Sequence, residues 1–196
     1  MKPRIFIGSS TEALHIAYAV QENLEHDANP TVWTQGIFQL SSNALDDLFK
    51  ALQNFDFGIF IFKPDDITIM RTDKLNTIRD NVIFELGLFI GKLGKDKVFF
   101  VLPSEITDFH LPTDLLGVNP GKYNNNREDG NLKAALGPFC NQVREKIKNF
   151  VYENLNDLVN ESSEVKKLAV EKPKYWQIFL SAELFKTRLV EINRGY

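Results

Sequence analysis

The run Phe57-Gly58-Ile59-Phe60-Ile61-Phe62 contains no polar side chain in six positions. A strand with one face in water alternates apolar and polar residues. A run that never alternates reads as a strand covered on both faces, which is the situation of a central parallel strand with helices on either side. Other short apolar runs fit the same plan: Arg4-Ile5-Phe6-Ile7, Thr31-Val32-Trp33, Lys97-Val98-Phe99-Phe100-Val101-Leu102, and a short fifth candidate near Lys122-Tyr123. Between them apolar residues recur at helical spacing: Ala13, Ile16, Ala17, Val20 and Leu24; then Leu45, Leu48, Phe49 and Leu52; then Leu132, Leu136, Phe139, Val143, Ile147 and Phe150.

Strands alternating with helices predict an α/β domain with a five-stranded parallel, doubly wound sheet flanked by helices, in the flavodoxin-like order 2-1-3-4-5. The 196 residues suffice for one sizeable domain, residues 1–150, plus an appendage, residues 151–196. That appendage is polar through Glu161-Ser162-Ser163-Glu164 and reads as helical from Trp176 to Phe185. About 45 residues seldom hold a core alone, so it is expected to pack on the first domain, mediate oligomerisation, or begin a longer module.

Composition excludes several function classes. A net charge of −3 without a basic tract argues against binding nucleic acid through phosphate neutralisation. Cys140 is the only cysteine, so neither an internal disulfide nor a thiolate metal cluster is expected, which suits a reducing cytoplasm. His15, His26 and His110 show no ligand spacing, and a turn after Pro64 accounts for Asp65 and Asp66 as well as a metal does; no metal is expected. No stretch approaches about 18 uninterrupted apolar residues, so no membrane span is expected.

In open α/β sheets, ligands sit beyond the carboxyl ends of the strands. Gly8-Ser9-Ser10, the segment after Trp33, and Asp65-Asp66 all fall on that rim. Ser9 with Glu12 three residues later fits a capping box. The helix N-terminus behind Gly8 is open to a phosphate, but Gly-Ser-Ser is no P-loop and Glu12 would repel an anion, so a structural cap is the better reading. Trp33 offers a stacking face or a core residue, and Gln35 to Ser42 reads as a loop that touches a ligand or partner.

One charge interrupts the apolar run from Val82 to Ile90: Glu85. Apolar residues on every side predict a helix packed on most of its circumference, leaving Glu85 partly desolvated. Two readings stand on these residues alone. Glu85 is paired with an Arg or Lys or accepts backbone N–H groups, or it lines a pocket as a catalytic carboxylate.

Gly8-Ser9-Ser10-Thr11-Glu12, Val32-Trp33-Thr34-Gln35-Gly36-Ile37-Phe38, Asp56-Phe57-Gly58-Ile59-Phe60 leading to Pro64-Asp65-Asp66, and above all Arg79-Asp80-Asn81-Val82-Ile83-Phe84-Glu85-Leu86-Gly87-Leu88-Phe89-Ile90-Gly91 together resemble a known family. The chain is similar to the bacterial TIR-like domains of cyclic-nucleotide-activated antiphage effectors (the CBASS and Pycsar systems). The resemblance covers Lys2 to Tyr123, with Leu132 to Phe150 fitting the last helix. It implies a flavodoxin-like TIR fold with NAD glycohydrolase activity, NAD being substrate and no cofactor being needed, and it makes Glu85 the catalytic residue. On the same rim, Gly8, Ser9 and Ser10 are expected to contact diphosphate or ribose, and Trp33 or Phe38 to stack on a base. Asn81, one turn before Glu85, is expected to orient it. The loop Gln35 to Ser42 matches the one that joins neighbouring copies in such assemblies, implying a homo-oligomer. Family effectors carry a cyclic-nucleotide sensor after the TIR-like domain; nothing after Phe150 is long enough to be one, so a partner, a longer chain or another tail function is expected. A non-catalytic TIR scaffold and a nucleoside deoxyribosyltransferase-like enzyme are the alternatives.

Overall fold

The computed structural model describes residues 2–38, 43–64, 66–70, 73–106 and 119–171. The first of its two compact units, Met1–Lys148, is built on a five-stranded parallel sheet; the second is Asn149–Tyr196. The strands of the sheet are β1 (Arg4–Gly8), β2 (Asn29–Val32), β3 (Phe57–Ile61), β6 (Val98–Pro103) and β7 (Gly121–Tyr123), and they lie in the order β2-β1-β3-β6-β7. Counting only these strands, this is the expected 2-1-3-4-5 order. The unbroken apolar run did mark the middle strand, with Phe57 to Ile61 buried throughout. Register Ile7↔Ile59 and Ile59↔Phe99 places β1 and β6 on its two sides.

Helices α1 (Leu14–Leu24), α2 (Ala44–Asn54), α3 (Asp80–Leu93) and α4 (Leu132–Glu171) complete the described elements, with 3-10 turns at Thr11–Ala13 and Lys95–Lys97. Helix α2 begins at Asn43, whose side chain accepts from the Leu45 N–H at 2.9 Å, and carries Asp46 and Asp47 in its first turn, where they suit the dipole. Helix α4 buries Ala135, Leu136, Phe139, Cys140, Val143 and Ile147, the face its spacing announced. Arg144 ties it to the end of α1, donating to Asp27 Oδ2 and to the Asn23 carbonyl, each at 2.6 Å.

Three expectations need correcting. The segment after Pro64 is a hairpin, not just a turn: β4 (Asp66–Met70) pairs antiparallel with β5 (Asp73–Thr77), Met70 opposite Asp73. Ile67, Thr68 and Ile69 supply the β-branched residues that favour extended backbone; Asp65 lies outside the described residues. Helix α4 does not stop at Phe150 but runs to Glu171, because the stretch from Val151 to Glu171 contains no Pro or Gly to break a helix. The segment from Trp176 to Phe185 lies outside the described residues. Finally, α3 is not packed all round. Val82, Leu86 and Phe89 form one buried stripe, with Ile83, Leu88 and Ile90 half-buried beside it, while Phe84 stays 53% exposed.

That buried stripe fixes how α3 presents its other residues. Phe89 stacks on Phe6 with ring centroids 4.6 Å apart and meets Phe60 edge-on at 5.4 Å. It lies over Gly58 of β3, where a Cβ would come within 2.8 Å of its ring. With this side against the sheet, Asn81 and Glu85 turn toward the carboxyl ends of β1 and β2.

Candidate active site

A cleft of about 530 Å³ opens at that end of the sheet. Ser9, Ser10 and Thr11 follow β1, Trp33 and Phe38 follow β2, Leu45 and Leu48 come from α2, and Arg79, Asn81, Val82, Phe84 and Glu85 come from the start of α3. Of the residues expected on the rim, Ser9, Ser10, Trp33, Phe38, Asn81 and Glu85 therefore meet in one place. Gly8 does not line the cleft. A Cβ on it would lie 2.8 Å from the Phe60 ring, so its smallness serves packing at the end of β1.

The two serines are almost wholly buried. The expected capping box is not formed: Ser10 precedes the 3-10 turn without a side-chain cap, and Ser9 is engaged elsewhere. The Trp33 indole Nε1–H donates to Ser9 Oγ at 3.1 Å, and the same ring meets Phe38 edge-on at 6.2 Å. Trp33 thus fastens the end of β2 to the end of β1 across the floor of the cleft. The indole uses one lone pair of the Ser9 oxygen and leaves the hydroxyl hydrogen as a donor. Trp33→Phe keeps an aromatic ring and deletes this bond; we expect a stability loss of about 1 kcal/mol. It should be read as a lower urea midpoint at unchanged slope, and an unchanged midpoint would show that the bond carries nothing.

Glu85 sits on the flank of the buried stripe of α3. Its carboxylate has no hydrogen-bond or ion-pair partner among the described residues, and burial alone pushes it up to about 7. This answers the paired reading of Glu85: the nearby cation, Arg79, turns away from it to Glu12, with Nη1 3.5 Å from Oε2. Asn81 shares the face one turn earlier, but no hydrogen bond joins it to Glu85. An unpaired, partly desolvated carboxylate beside an apolar wall is a poor structural feature and a good device for meeting positive charge.

Sequence reasoning missed Arg79 and Phe84 as lining residues. Arg79 opens the expected motif, but its ion pair joins residues 67 apart in sequence and has no local signal. Phe84 belongs to the run read as packed on most of its circumference, yet it stands exposed at the cleft. Among the described residues no group of His, Cys, Asp and Glu side chains is arranged to hold a metal ion, and no helix is long and apolar enough to cross a membrane. Cys140 is buried, and burial pushes its thiol up to about 12, which rules it out as a thiolate nucleophile at neutral pH.

A parallel sheet in 2-1-3-4-5 order, with a carboxylate-bearing cleft where β1, β2 and the start of α3 converge, defines an α/β domain of the TIR type. Within that class the chain belongs to the family described as "CAP12/Pycsar effector protein, TIR domain", whose model matches residues 4–125. It is 46% identical over 141 residues to the Pycsar effector protein PaPycTIR of Pseudomonas aeruginosa, covering 71% of this chain and 46% of that protein. It is 44% identical over 155 residues to CD-NTase-associated protein 12 of Flavobacterium daejeonense, covering 79% of this chain and 47% of that protein. A protein of the same name from a Lachnospiraceae bacterium is 35% identical over 155 residues, covering 79% of this chain and 48% of its own. The chain thus spans about half the length of the curated relatives it matches.

Proposed function

We propose that this chain is the NAD-cleaving TIR module of an antiphage effector, an NAD glycohydrolase that breaks the nicotinamide–ribose bond with Glu85 as its catalytic carboxylate. The observation that carries this reading is Glu85 itself: unpaired, partly buried, and in one cleft with Ser9, Ser10, Trp33, Phe38 and Asn81. In NAD the leaving group is a pyridinium, so cleavage releases neutral nicotinamide and needs no proton donor. What needs stabilising is the oxocarbenium-like ribose, and one partly desolvated carboxylate can do that electrostatically or by transient bonding. A sugar acetal would need a second carboxyl group as acid; among the described residues lining the cleft, Glu85 is the one carboxylate.

Membership in a family of Pycsar and CD-NTase-associated effectors supports a role in defence, with activation through a cyclic-nucleotide-linked signal and self-association in the cytoplasm. Leu45 and Phe84, 40% and 53% exposed at the cleft mouth, favour a second reading, in which the domain is an assembly scaffold that signals without chemistry.

The deciding experiment is nicotinamide release from NAD by wild type and Glu85→Gln at high protein concentration with a crowding agent, repeated with an inducible oligomerisation module fused to the chain. Release by wild type that is lost in the variant is the expected result. Equal release by both removes Glu85 from catalysis, and no release even when assembled favours the scaffold. Transfer of deoxyribose between bases without nicotinamide release would instead mark a nucleoside deoxyribosyltransferase.

A further inference from the structure

We propose that Arg79 is the anion-binding arm of the cleft, taking the diphosphate of a dinucleotide, and that Glu12 is a built-in competitor which the ligand displaces from it. The inference rests on the dinucleotide reading above and extends it to a subsite and its control.

Three observations point there. Arg79 lines the cleft beside Ser9, Ser10 and Thr11, whereas Glu12 lies outside the lining. Arg79 Nη1 lies 3.5 Å from Glu12 Oε2, between side chains 40% and 48% exposed, and an ion pair of that kind contributes little. A guanidinium presents five N–H donors in a fork that fits a phosphate better than one distant carboxylate oxygen. The second observation is Ser9. It is nine-tenths buried, and the Trp33 indole already uses it as an acceptor, so what it has left to offer the cleft includes its own O–H as a donor.

The third is spacing. Arg79 immediately precedes α3 and Glu85 lies in the second turn, about 9 Å further along the helix axis at 1.5 Å per residue. With the reach of the two side chains, this is a separation that a ribose carrying a 5′-diphosphate spans, its anomeric carbon at Glu85 and its phosphates at Arg79. Among the described residues, Asp80 stands exposed in the first turn of α3 and Glu12 is an ion-pair partner of Arg79. Lys63, at the end of β3, donates to the Glu12 carbonyl at 3.5 Å and so adds a second cation beside the same turn. Glu12 thus opposes an anion, as the sequence implied, and does so from the residue the anion would take.

The test is calorimetric titration of the full chain with ADP-ribose at low salt. Arg79→Gln is expected to weaken binding at least about tenfold, the scale of a lost charge-assisted contact, with Arg79→Lys intermediate. Glu12→Gln is expected to tighten binding several-fold, and this gain should vanish in the Arg79→Gln background. A purely structural ion pair predicts the same sign for both variants. Weaker binding in Glu12→Gln, unchanged binding in Arg79→Gln, or no binding by wild type each overturn the proposal. Binding as described without nicotinamide release from NAD would instead leave the subsite standing and remove the glycohydrolase reading. Release with a KM indifferent to Arg79 would do the reverse.

Discussion

Glu85→Gln is expected to lose nicotinamide release by at least about a hundredfold while melting at a higher temperature than wild type at pH 8. Both effects come from one cause. Burial raises the folded-state pKa of Glu85 from 4.5 to about 7. Between these two values the folded chain holds a proton that the unfolded chain has released, so wild-type stability falls as pH rises through that window. Below 4.5 both states are protonated and no penalty exists; above about 7 the full cost of the buried charge is present. The interval corresponds to at most roughly 3 kcal/mol, and water in the open cleft reduces it to on the order of 1–2. Gln has no charge to bury, so the difference between variant and wild type should open between pH 4.5 and 7 and then stay constant, reaching a few degrees in Tm.

The same titration governs activity with the opposite sign. The ionised form stabilises the oxocarbenium, so kcat/KM should rise with pH to a plateau with a midpoint near 7. A bound pyridinium cation favours the carboxylate, so the kcat midpoint should lie lower. A flat profile, or equal melting of the two proteins at every pH above 5, would mean that Glu85 is not the buried acid on which this mechanism depends.

How far the chain announces this arrangement depends on whether a residue's role is local. The strands were legible because Phe57 to Phe62 and Val98 to Leu102 are unbroken apolar runs, and only a doubly covered strand needs one. Even β7 was found at Lys122-Tyr123. The β4–β5 hairpin was not, because Pro64-Asp65-Asp66 explains a turn and the stretch behind it, Ile67-Thr68-Ile69-Met70, is only four residues long and interrupted by a threonine. The continuation of α4 past Phe150 was hidden for the converse reason: its apolar residues there, Val151, Leu155 and Leu158 among them, stand in a stretch polar enough to mask the burial signal.

At the site, a lone carboxylate inside the run from Val82 to Ile90 was enough to single out Glu85. Its lack of a partner was not legible, since that depends on Arg79 choosing Glu12, 67 residues earlier, a relation made by tertiary structure alone. Ser9 was placed on the rim by its position after β1, and it lines the cleft, whereas the cap also read for it does not form. Its bond from Trp33 exists only because β1 and β2 are neighbours. The resemblance placed Gly8 against diphosphate or ribose, and its constraint in the structure is the Phe60 ring.

Phe89→Ala is expected to be the most destabilising single change in the helix that carries Glu85, at about 3–5 kcal/mol. Phe89 is fully buried, stacked on Phe6, edge-on to Phe60, and seated where Gly58 leaves room for it. Truncation leaves a cavity between α3 and the middle strand, because the rings of Phe6 and Phe60 belong to a rigid sheet and cannot close over it. Urea unfolding should show a lower midpoint at unchanged slope, and activity should fall even where the protein is folded, since Glu85 lies one turn before the lost anchor. Gly58→Ala probes the same seat from the other side: the new methyl meets the Phe89 ring at 2.8 Å, costing about 1–3 kcal/mol. If the seat sets the height of α3 over the sheet, Phe89→Leu should recover part of that cost, and the two changes should couple in a double-mutant cycle. Strict additivity would mean that the ring and the glycine do not share one space, and that α3 is held in place by Val82 and Leu86 instead.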